Sequence, residues 1–238
     1  MVATHLIGEK AGVVSGSALL VDYVLTITIS IASCVDAVFS FLPIQFHHAK
    51  VATACLLTVI LIILNMRGVK ESIAVLAPIF ATFIVTHLLM LLDGVFTHVD
   101  RFVPLASDFR TGIHHDLSTI GAFGIMLLFL RAYSLGGGTY TGIEAVSNGI
   151  QIMREPRVQT GKRTMIYMAT SLAFTAGVLF VCYALLGVKP VEGKTLNAVL
   201  ADGLFAHWPM GNWIAFVTIF SEGALLLVAA QTGFVDGP

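Results

Sequence analysis

The chain has 238 residues, 57% of them hydrophobic and 11% charged, with a formal net charge of -1 and a mean hydropathy of +0.90. Soluble domains carry about 25% charged residues, so this chain could not cover a water-facing surface, and a soluble globular enzyme or binding module is excluded. No basic tract is present, so no nucleic-acid partner is expected.

Six apolar segments follow in chain order, and the composition and segment lengths predict an all-α polytopic membrane protein, one transmembrane domain over residues 1–238. They cover about 11–42, 51–65, 73–96, 117–152, 164–186 and 212–234. A segment immersed in lipid must satisfy its own backbone, which makes each a helix. Residues 1–10 are mixed and polar and lack the apolar core of a signal peptide. The first segment stops at Pro43, and the fourth carries Gly136, Gly137 and Gly138 in its middle. The connectors at 66–71 and 153–163, with Lys10, hold Arg67, Lys70, Arg154, Arg157, Lys162 and Arg163 in little length. By the positive-inside rule that side, including the N-terminal end, is cytoplasmic, as for a multi-pass plasma-membrane protein. The chain ends directly after an apolar segment, as the middle section of a longer protein would.

Charges inside spans need a reason, because insertion of Asp or Arg at a helix centre costs about 2.5–3.5 kcal/mol. Asp22 and Asp36 lie in the first segment, Arg131 and Glu144 in the fourth, Glu222 in the sixth. Asp22, Thr26 and Ser30 are spaced i, i+4, i+8 and make one oxygen-bearing stripe, with Tyr23 beside its head. The alternative for each hydroxyl is a bond back to the carbonyl four residues earlier. In the fourth segment three consecutive glycines, each costing about 1 kcal/mol against Ala, predict unwinding. Thr141 and Glu144 then stand at i, i+3 just past the break. Broken helices of this kind expose carbonyls and half-helix ends that bind ions and substrates. A glycine face for close helix packing is the alternative. Asp36 is expected to reach water or cap a neighbour, and Glu222 to join a cavity or pair with Arg131.

Cys34, Cys55 and Cys182 sit in apolar stretches without Cys-x-x-Cys spacing and read as small hydrophobes. The pairs His47–His48 and His114–His115 fall in outer loops and lack a third ligand at diagnostic spacing. No cofactor and no resident metal are expected. An enzyme would need a nucleophile–base pair or clustered ligands, and the sequence offers neither.

The run Gly16-Ser-Ala-Leu-Leu-Val-Asp-Tyr-Val-Leu-Thr-Ile-Thr-Ile-Ser30 resembles the third transmembrane helix of amino acid–polyamine–organocation (APC) superfamily transporters. Asn65-Met-Arg-Gly-Val-Lys-Glu-Ser72 is similar to the loop after that superfamily's fourth helix. Thr141-Gly-Ile-Glu-Ala-Val-Ser-Asn148 with Arg154-Glu-Pro156 resembles its broken sixth helix, and Ala229-Ala-Gln-Thr-Gly-Phe234 the end of its eighth. Within the superfamily the Asp-Tyr and Thr-Gly-Ile-Glu pairings resemble the KimA-type potassium importers. The resemblance implies helices three to eight of a partial inverted-repeat fold, without the first broken helix. It implies a secondary active transporter, with proton-coupled potassium uptake the leading reading and an amino-acid permease the alternative. It also implies that Asp22, Tyr23, Thr26 and Ser30 line an ion path, and that Thr141 and Glu144 border the broken helix. The Gly136–Gly138 triplet departs from the more mixed sequence of the family at that place, a difference that bears on the shape of the cavity. Expected partners are the transported cation or amino acid, protons, the lipid bilayer and a second copy in a homodimer. Hydroxyl, carboxylate and carbonyl oxygens can replace the hydration shell of K⁺, and carboxylates can take up and release protons.

Overall fold

A computed structural model describes residues 7–67, 73–136, 146 and 149–235. The described α-helices are α1 (Glu9–Phe39), α2 (Lys50–Met66), α3 (Ile73–Phe96), α4 (Phe102–Thr119), α5 (Gly121–Gly136), α6 (Arg157–Leu186), α7 (Leu196–Phe205) and α8 (Gly211–Val235). A 3₁₀ turn over Ile44–Ala49 leads into α2, and another over Val99–Arg101 leads into α4. The molecule is an all-α, multi-pass membrane protein.

Among the described residues five helices are long and apolar enough to cross a bilayer, and the bent pair from Val99 to Gly136 makes a sixth candidate. With 31 residues and about 1.5 Å of rise per residue, α1 exceeds the ~30 Å hydrocarbon thickness. Threonines inside the spans bond their own helix: Thr53, Thr58 and Thr82 each donate to the carbonyl four residues earlier, the local solution open to a hydroxyl in lipid. Large apolar side chains such as Val24, Ile29, Leu56, Val59, Phe80 and Phe180 are exposed along the spans, which suits contact with acyl chains rather than water.

Gly187 and Gly121 are among the glycines that act through backbone conformation. Gly187 ends α6 at φ 60°, ψ 39°; its N–H donates to Ala184 and that of Val188 to Tyr183, a left-handed cap that satisfies terminal carbonyls. Gly121, at φ +69°, joins α4 to α5 across a bend of 114°, a conformation glycine adopts without Cβ strain. The sequence reading places a loop before residue 117 and the fourth span from there. The structure corrects this: helix α4 occupies the expected loop, and a sharp bend stands at Gly121. The His114–His115 pair accordingly lies on a helix, and His47–His48 lie in the 3₁₀ turn.

The chain folds into two compact units. One comprises Met1–Ile84, Val191–Ala198 and Phe216–Pro238. In it α1 packs against α2, and Ile31, Leu61 and Ala230 form a buried core from α1, α2 and α8, flanked by Ile27, Leu227 and Phe234. Asn65 and Gln231 join α2 to α8 through a two-way amide pair: Asn65 Nδ2 donates to Gln231 Oε1 at 2.9 Å and Gln231 Nε2 to Asn65 Oδ1 at 3.1 Å. The other unit comprises Val85–Pro190 and Val199–Ala215. In it Gly94 permits a close approach, since an added Cβ would stand 2.7 Å from Cys182 Sγ and 3.3 Å from Leu204 Cδ1. Arg101 Nη1 donates to the Leu185 carbonyl at 3.1 Å, tying the entry to α4 to the end of α6.

Candidate functional site

The helical period of α1 sorts its polar groups from its lipid-facing ones. Tyr23 and Ser30 are buried and Asp22 and Thr26 half-buried, whereas Val21, Val24, Leu25 and Ile29 between them are exposed. Asp22, Tyr23, Thr26 and Ser30 therefore share the inward side of the helix. Close approach of α8 defines that side, since a Cβ on Gly233 would stand 2.8 Å from Ile27 Cγ1 and 3.6 Å from the Tyr23 carbonyl oxygen.

The hydroxyls divide along the same line. Exposed Thr28 bonds back to its own helix, its Oγ1 donating to Val24 at 2.8 Å and Leu25 at 3.1 Å. Among the described residues, no hydrogen bond engages the hydroxyls of Thr26 or Ser30, and the buried Tyr23 hydroxyl has no partner. A buried polar oxygen without a partner is costly in a folded protein, so this face carries oxygens that local structure does not consume. Chemically, a carboxylate followed by two hydroxyls at one-turn intervals can take a partly dehydrated monovalent cation.

Gly136 is the last residue of α5. Gly137, Gly138, Thr141 and Glu144 lie outside the described residues. Asp36, at the other end of α1, forms an ion pair with Lys50, Nζ to Oδ1 at 2.8 Å, both side chains partly exposed. Glu222 Oε1 accepts from Asn197 Nδ2 at 2.8 Å, and Arg131 lies exposed on α5. Among the described residues no cluster of three or more His, Cys, Asp or Glu could hold a metal ion.

A cavity of about 320 Å³ opens between α1, α2 and α8, lined by Cys34, Val38, Leu57, Phe220, Gly223 and Leu227 among others. Its wall is almost wholly apolar, so it offers no oxygen cage and is not a cation site.

Asp93 is a second inward carboxylate, which the sequence reading does not single out. It is 8% exposed, its Oδ1 accepts from Trp208 Nε1 at 3.3 Å, and His207 Nε2 stands 3.6 Å away. Its Oδ2 has no partner among the described residues. The signal was available, since Asp93 is a carboxylate inside an apolar segment, as Asp22 is.

Comparison with known proteins gives a match that runs the length of the chain. The chain is 32% identical, over 239 aligned positions, to the potassium transporter KimA of Bacillus subtilis (strain 168). The similarity to that relative runs through the whole chain. All of it aligns, and it spans 38% of that relative's length. No family model matches. The alignment takes in the α1 stripe, the Asn65 and Gln231 segments and the stretch around Glu144 that lies outside the described residues.

Proposed function

We propose that the chain is part of a secondary active transporter that moves potassium across the membrane, coupled to protons. The observation that carries this reading is the end-to-end similarity to a potassium transporter. The inward stripe of α1 supports it: Asp22 supplies charge, and Tyr23, Thr26 and Ser30 supply oxygens not spent on the helix itself. In this reading Gly136, Gly137, Gly138, Thr141 and Glu144 form the second half of the ion path at a broken helix, with free carbonyls from the glycine run. Asp22 and Glu144 are the groups that take up and release the coupling proton. The connector at 153–163 and the N-terminal end of the chain face the cytoplasm.

The test uses the full-length gene in a host stripped of its own potassium uptake. Growth at limiting potassium should be rescued, and Asp22→Asn and Glu144→Gln should each abolish the rescue at unchanged membrane abundance. No rescue by the unaltered gene, or full rescue by both variants, refutes the assignment. Uptake of labelled amino acids by proteoliposomes, with potassium inert, would move the substrate to the permease class. Potassium uptake indifferent to an imposed proton gradient would remove the coupling and leave the ion.

A further inference from the structure

We propose that α4 is an interfacial helix, lying in the membrane–water boundary with one face sunk among the lipid headgroups and upper acyl chains. The proposal concerns a lipid-contacting surface and does not depend on what the protein transports. At 100° per residue, Phe102, Leu105, Ala106, Phe109, Ile113 and Leu117 fall on one side of α4. Ser107, Thr111, His114, His115 and Ser118 fall on the opposite side. Asp116, in the last turn, interrupts the apolar stripe. Of the described α-helices, α4 is the most one-sided and the least apolar, the pairing of properties that distinguishes surface-lying from spanning helices.

The stripe is uncovered. Phe109 is 69% exposed, and Phe102, Ile113 and Leu117 are exposed too; no residue of α4 is buried. Crossing the bilayer would carry Asp108, Arg110 and Asp116 into hydrocarbon, which is strongly unfavourable. Geometry supplies the alternative. At Gly121 the chain turns by 114° into α5, so if α5 runs near the bilayer normal, α4 runs near its plane. At the other end Arg101 anchors the entry to α4 on the Leu185 carbonyl at the end of α6. The helix is thus held at both ends beside apolar membrane elements.

The occupant of the stripe follows from continuity. Across the bend, α5 exposes Phe123, Met126, Leu127 and Phe129, so the apolar face of α4 borders a surface suited to lipid contact. Charge argues against a need for anionic lipid, because α4 carries Asp108 and Asp116 against Arg110. A phosphatidylcholine bilayer should therefore suffice, with apolar contact as the driving force.

The experiment places single nitroxide labels along residues 103–117 of the full chain, in a background with Cys34, Cys55 and Cys182 replaced by alanine, in phosphatidylcholine nanodiscs. Collision with oxygen, which concentrates in lipid, is compared with collision with a water-soluble nickel chelate. The oxygen-to-nickel ratio should oscillate with the helical period, several-fold higher at 109 and 113 than at 111 and 114. High nickel access at every position would overturn the proposal in favour of a helix in water. Low access to both reagents at 109 and 113 would overturn it in favour of a covering protein segment or second copy. The unaltered chain gives an independent measurement, in case the cysteine-free background fails to fold. Phosphatidylcholine carrying a diazirine on its acyl chain should cross-link to the Phe102, Phe109 and Ile113 side, and absence of adducts from residues 102–117 refutes the interfacial placement.

Discussion

Tyr23 and Ser30 separate the energetics of folding from those of ion binding. Neither hydroxyl bonds to a described residue, so removing it forfeits no protein hydrogen bond. Tyr23→Phe and Ser30→Ala should change stability by no more than about 1 kcal/mol. If the α1 stripe is the ion path, both should raise the KM for potassium uptake several-fold; a thermal midpoint that falls while KM stays put would mark them as packing residues. The Lys50–Asp36 pair is a useful contrast, since both partners reach solvent. Exposed pairs contribute about 0–1 kcal/mol, so Lys50→Met should shift the unfolding midpoint little and leave uptake intact. At this scale the sequence pointed to Asp22, Thr26 and Ser30 because i+4 spacing makes a stripe whatever the surroundings. It did not show that Thr28 would back-bond and Thr26 would not, because that choice depends on which face meets α8.

Between helices, small residues and paired amides set the packing. Hydrophobic attraction is weak when the solvent is itself lipid, so spans associate through close contact and interhelical hydrogen bonds. The Asn65–Gln231 pair is such a bond, made in both directions at 2.9 and 3.1 Å. Truncating Asn65 leaves the buried Gln231 amide without its partner, at a cost of about 1–3 kcal/mol, whereas truncating Gln231 leaves a half-buried Asn65 still bonded to the Leu61 carbonyl. Asn65→Ala and Gln231→Ala should therefore each destabilise the protein in detergent unfolding. Their double variant should lose less than the sum, with a coupling of about 1 kcal/mol; strict additivity would show that the pair contributes nothing. At Gly94 the contact is steric. Gly94→Ala puts a methyl 2.7 Å from Cys182 Sγ, and overpacking of this kind costs about 1–3 kcal/mol. Cys182→Ala should relieve part of that loss, and failure to do so would place the strain at Leu204 instead. The motifs around Asn65 and around residues 229–234 were legible as family-like runs; their task as a helix–helix clamp was not, since the partners lie 166 residues apart in sequence.

For the molecule as a whole, the membrane topology carries its own prediction. If the basic connector at 153–163 is cytoplasmic, a single cysteine at Gln159 should be modified by a membrane-impermeant maleimide in inside-out vesicles and spared in intact cells. The reverse pattern would invert the orientation.

Composition and segment length were enough to determine that the chain is helical and enters the membrane repeatedly, because a lipid-immersed backbone has few ways to satisfy its hydrogen bonds. Periodicity likewise determined which residues share a face. The tertiary structure decided what each face meets: Gly233 against Ile27, Gln231 against Asn65, and Asn197 against Glu222. It also decided that residues 102–119 form a helix turned through 114° at Gly121. Search by hydropathy passes over such a helix, because its charges dilute the apolar signal that a spanning segment concentrates. Local pattern specifies an element and its faces, whereas the meeting of two faces depends on shape and partner geometry contributed by distant parts of the chain.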